Sequence, residues 1–188
     1  TVVNKRHQQH FEELKAQEEQ NLARKTELCE KVETLRTDEA RTYQQWDELT
    51  QQVLAWQAEW KTIGFTPRKV NNEIFERFRA ACDAFFQQKT SYFKDMRETL
   101  AANLAAKNSL IAQAEELKDS TDWAATTQKL VELQKQWKQT GPVAHKVSDA
   151  VWKRFNDACN AFFNRKAEQN AGQRKEEEAN LARKNEIL

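Results

Sequence analysis

Between Asn71 and Lys118 the chain carries neither proline nor glycine, and apolar residues recur along it at helical spacing. Such a stretch predicts one unbroken helix, roughly 70 Å long at 1.5 Å rise per residue. A helix of that length closes one small bundle and opens the next. Composition supports the assignment: the 188 residues include only 3 Gly and 2 Pro, and 31% are charged. That balance points to an all-α chain.

Self-similarity sets the organisation. A shift of 77 positions lays Trp46 on Trp123, Gln57 on Gln134, Trp60-Lys61 on Trp137-Lys138 and Gly64 on Gly141. It also lays Arg77-Phe78 on Arg154-Phe155, Ala81-Cys82 on Ala158-Cys159, and Ala84-Phe85-Phe86 on Ala161-Phe162-Phe163. Asn103-Leu104-Ala105 falls on Asn180-Leu181-Ala182. A further copy, Asn21-Leu22-Ala23-Arg24-Lys25, lies 82 positions before Asn103, so the first unit holds five extra residues between Leu28 and Trp46.

Four segments follow: residues 1–20, a helical tail of a preceding unit; 21–99, a first three-helix repeat; 100–168, a second; and 169–188, the start of a further repeat. The return of the Asn21 motif at Asn180 leads us to expect a longer array in the parent protein. The expected fold is a pair of three-helix bundles in tandem, sharing the long connecting helix.

Within each unit the apolar spacing defines the elements. Asn21 to Leu35 carries Leu22, Leu28, Val32 and Leu35 on one side. A second helix, about Glu39 to Ile63, sets Trp46, Leu49, Val53, Trp56, Trp60 and Ile63 in alternating three- and four-residue steps. Trp123 to Thr140 is its counterpart, with Ser120, Thr121 and Asp122 as N-cap candidates. Gly64 and Gly141 stand where C-terminal glycines stand, and Asn71 and Ser148 suit the next N-caps. The third helices are expected to pack Ile74, Phe75, Phe78, Ala81, Cys82, Phe85 and Phe86, and Val151, Trp152, Phe155, Ala158, Cys159, Phe162 and Phe163. From Asn164 to Ala179 only alanines are apolar and Gly172 interrupts, which predicts a polar helix with elevated mobility near that glycine.

The paired Trp-Lys-x-x-Gly turns, each followed by Phe-x-x-Ala-Cys-x-Ala-Phe-Phe, resemble the bacterial repeat catalogued as domain of unknown function 349. The resemblance covers about Asn21 to Phe93 and Asn103 to Lys166. It implies tandem repeats and carries no activity with it.

Several constellations remain to be placed. The six tryptophans occupy helical core positions beside Leu and Val, so we assign them to packing. Cys82 and Cys159 sit among Ala and Phe, Cys29 is alone, and no Cys-x-x-Cys pair suggests zinc. His7 and His10 lie three apart on a helix but have no third neutral ligand at ordinary spacing, so no metal is expected. Asn-x-x-x-Lys recurs at Asn21/Lys25, Asn103/Lys107 and Asn180/Lys184. Its members share a helix face; the plainer account gives the Asn to a neighbouring loop and lets the Lys snorkel.

The strongest basic patch joins Lys61, Arg68, Lys69 and Arg77 with Lys138, His145, Lys146 and Arg154, bracketing the same turn in both units. It is the candidate for a phosphate backbone, set against an overall balance of 30 basic and 29 acidic residues.

No phosphate loop, nucleophile elbow or pocketed carboxylate pair is evident, and no small-molecule substrate or cofactor is implied. No apolar run approaches the ~18 residues of a membrane helix, and the cysteine usage fits a reducing cytoplasm. The expectation is a non-enzymatic helical repeat scaffold with a protein partner. Its candidate surface is Asn21, Lys25, Asn103, Lys107 and the basic turns. The alternative is a nucleic-acid or ribosome-associated module using those turns.

Overall fold

The computed structural model describes residues 1–187; the 169–188 segment therefore ends on a residue outside the described part. Among the described residues the elements are five helices: α1 Val2–Glu33, α2 Tyr43–Thr62, α3 Arg68–Leu117, α4 Trp123–Gln139 and α5 His145–Ile187. Two compact units emerge, Thr1–Phe93 and the described residues from Lys94 onward. Each is a three-helix bundle.

In the first unit the core gathers Leu28, Cys29 and Val32 of α1, Trp46 and Val53 of α2, and Ile74, Phe78, Cys82 and Phe85 of α3. In the second it gathers Leu110, Ile111 and Ala114 of α3, Leu130, Leu133 and Trp137 of α4, and Phe155, Ala158, Cys159 and Phe162 of α5. The long helix α3 supplies a wall to both cores. Its 50 residues run without a break, as the absence of proline and glycine requires.

Local chemistry fixes the helix ends. Thr42 and Gln45 form a reciprocal capping box at the start of α2, which begins at Tyr43, four residues later than the periodicity placed it. Asp122 caps α4 by accepting from Ala125 N–H at 3.4 Å. The starts of α3 and α5 depart from expectation. Both begin three residues early, at Arg68 and His145, so Asn71 and Ser148 lie inside the first turn. Asn71 is occupied there, its Oδ1 accepting from the Thr66 hydroxyl at 2.9 Å.

Two further expectations are corrected. Phe75 and Trp152, assigned to the core, are 47% and 52% exposed, because they lie to one side of the stripe that meets the other two helices. Gly64 and Gly141 are not left-handed caps, for no glycine has positive φ; the helices end in extended residues, Ile63 and Thr140. Helix α5 continues through Gly172 to Ile187, and the described residues from Ala167 to Ile187 are all exposed.

Candidate functional site

The same constellation appears in both bundles where the second helix turns into the third. Asn21 and Asn103 stand on the preceding helix. Each donates from Nδ2 to a loop carbonyl, Phe65 O in the first unit and Pro142 O in the second, both at 2.8 Å. One helical turn on, the ammonium groups of Lys25 and Lys107 sit over the rings of Trp60 and Trp137, 4.8 and 4.7 Å from the centroids. Trp60 in turn stacks on Phe78 and Trp137 on Phe155, both with centroids 4.3 Å apart.

This arrangement explains the turn glycines. A Cβ on Gly64 would meet Asn21 Nδ2 at 3.0 Å, and one on Gly141 would meet Asn103 Nδ2 at 2.6 Å. Close approach, rather than backbone handedness, is what disfavours a side chain at these two positions. Asn180 and Lys184, the third copy of the motif, are exposed.

Ion pairs use part of the basic patch. Arg77 Nε donates to Glu33 at 2.8 Å. Arg154 forms a two-point pair with Glu115, at 2.7 and 3.0 Å. Glu33 and Glu115 hold matching positions in the two units, so these pairs tie equivalent helices. The neighbouring guanidinium holds the Glu115 carboxyl below its usual range. Lys61, Arg68, Lys69, Lys138, His145 and Lys146 are exposed and form no salt bridge among the described residues.

Beside each stacked pair lies a cleft. In the first unit about 310 Å³ is bounded by Gln57, Trp60, Lys61, Phe75, Phe78 and Cys82, among others. In the second about 260 Å³ is bounded by Gln134, Trp137, Lys138, Trp152, Phe155 and Cys159, among others. These six residues correspond one for one through the repeat. The exposed aromatic, Phe75 or Trp152, forms part of the rim, and a buried thiol lies at the base. Burial pushes the thiols of Cys82 and Cys159 up, and that of Cys29 up to about 11. Activated thiolates need the opposite shift.

Sequence reasoning reached Lys61 and Lys138 for their charge and missed the aromatic clefts beside them. The available signal was Phe75 aligned with Trp152, two large rings one step off the core stripe. His7 and His10 are exposed, and no group of three metal-ligating side chains forms among the described residues. Nor is any helix there long and apolar enough to cross a membrane.

No curated protein and no solved structure matches the chain. The family model for Domain of Unknown Function (DUF349) matches residues 1–69, 73–146 and 150–188. Three successive matches in phase with the internal repeat, covering nearly every residue, place this chain in the DUF349 family.

Proposed function

We propose that the chain is a non-enzymatic repeat scaffold that binds protein partners in a reducing cytoplasm. The observation that carries this is the cleft reproduced in both bundles with the same six lining residues. Packing alone does not ask for a large aromatic at the rim. Phe75 and Trp152 are half exposed, and an aromatic with one free face is the usual anchor of a protein interface. Three buried free thiols suit a reducing compartment.

A nucleic-acid role draws on Lys61, Arg68, Lys69, Lys138, His145 and Lys146, which form no salt bridge among the described residues. Two of the eight basic residues of that patch, Arg77 and Arg154, are already held by carboxylates. A backbone track of clustered cations is correspondingly thinner.

Substituting Phe75→Glu and Trp152→Glu tests the proposal, since exposed positions tolerate charge without unfolding. Proteins captured from extract by the wild-type chain should persist after nuclease treatment and disappear with the double variant. Capture that nuclease abolishes, and that the variant leaves intact, would instead favour the basic turns.

A further inference from the structure

The Lys25 ammonium is in an unusual position. Its residue is only 8% exposed, it makes no salt bridge among the described residues, and it lies 4.8 Å above the centroid of the Trp60 ring. Burial lowers its pKa, so the charge is held in a place that disfavours it. Lys25 also lines an open cleft of about 470 Å³ with Trp60, Ile63, Phe65, Asn72 and Phe75. That cleft shares Trp60 and Phe75 with the repeated one. The first turn of α3, Arg68–Asn71, contains no acidic residue; Asn72 follows it, and Glu73 comes next in the chain and lines a different cleft, with Leu22, Val70, Ile74 and Arg77.

We propose that this cleft is a carboxylate subsite, in which Lys25 receives an Asp or Glu side chain of a partner segment while Trp60 and Phe75 receive an adjacent apolar residue. The inference rests on the protein-binding role assigned above and adds the partner's chemistry: an acidic residue beside an aromatic or aliphatic one. A desolvated cation with apolar walls gains most from an anion that brings its own apolar neighbour. The second unit provides the internal contrast. Lys107 lies over Trp137 as Lys25 does over Trp60, but the position of Asn72 is taken by Asp149. By the repeat alignment the second unit carries a carboxylate at the position where the first has a neutral amide, and Ala150 at the position of the first unit's Glu73. The two units therefore differ in preference: the first selects an acidic segment and the second does not.

The test uses the full chain labelled with ¹⁵N, reading the indole N–H signals of Trp60 and Trp137. The probes are acetyl-Phe-Glu-Phe-amide, its Gln twin and its phosphoserine twin. The Glu peptide should shift the Trp60 signal with a Kd about tenfold or more below that of the Gln peptide, as a charge-assisted contact implies. Lys25→Met should erase that preference. Asn72→Asp, at an exposed position that leaves the core untouched, should erase it too, and Asp149→Asn should create one at Trp137. Equal affinity for the Glu and Gln peptides would overturn the subsite while leaving the cleft as a protein-binding surface. A preference that survives both Lys25→Met and Asn72→Asp would overturn it as well. Phosphoserine binding tenfold tighter than Glu would replace the carboxylate by a phosphate and overturn the assignment.

Discussion

Gly141 and Asn103 show how much one atom decides. With no positive φ to accommodate, Gly→Ala at the turn would ordinarily stabilise by about 0.4–1 kcal/mol through the unfolded chain. Here the new methyl displaces Asn103 Nδ2, which a Cβ would meet at 2.6 Å, from its carbonyl. Gly141→Ala should therefore cost about 1–2 kcal/mol, the loss of a pinned hydrogen bond plus local strain. In an Asn103→Ala background the same substitution should become neutral or stabilising. A denaturant double-mutant cycle measures the reversal; additive effects would show that the glycine serves some other purpose. The Asn-x-x-x-Lys spacing was visible in the sequence, and so was the explanation that its Asn serves a loop. That the Asn dictates the glycine was not visible, because the two residues meet only after a helix and a turn intervene.

The elements were legible wherever their signals are local. The long helix α3 follows from the lack of breakers, and α4 from Asp122 and its apolar stripe. Boundaries failed where a side chain had a tertiary or loop partner. Asn71 has the composition of an N-cap, yet Thr66 engages it and the helix begins at Arg68. Phe75 and Trp152 were misplaced because periodicity tells which residues are apolar, not which faces find a neighbour.

At this scale two outcomes are expected. Thr42→Ala removes the acceptor for Gln45 N–H and should cost about 1 kcal/mol in chemical denaturation. The Arg154–Glu115 tie between α5 and α3 should respond to acid. Because the folded carboxyl is depressed below its ordinary value of 4.5, the unfolded state takes up protons first. The contribution is present above that value and is lost as pH falls through the folded one. The stability difference between wild type and Glu115→Gln should therefore narrow on acidification, and raised salt should shrink it, since the pair is exposed. A pH-independent difference would mean that the pair contributes through packing of its stems.

For the whole molecule, the two cores share no residue, and each contains its own thiol at the same repeat position. Cys82 and Cys159 are therefore built-in reporters of their bundles. Both should react slowly with thiol reagents in the native chain and quickly in denaturant, since each is buried. Phe162→Ala deletes a fully buried ring and should cost about 3–5 kcal/mol. Labelling of Cys159 should accelerate far more than labelling of Cys82. Equal acceleration would show that the bundles open as one unit.

The contact between the asparagine and the turn glycine also has a hereditary side. Two residues some forty positions apart are bound by a mutual steric condition, so neither is free to drift alone. A lineage that first lost the asparagine would release the glycine to ordinary substitution. One that first lost the glycine would put the asparagine's amide under pressure to leave. Across repeats the two should be retained or abandoned together, and a bundle that has lost both should tolerate insertions in a turn that is otherwise fixed.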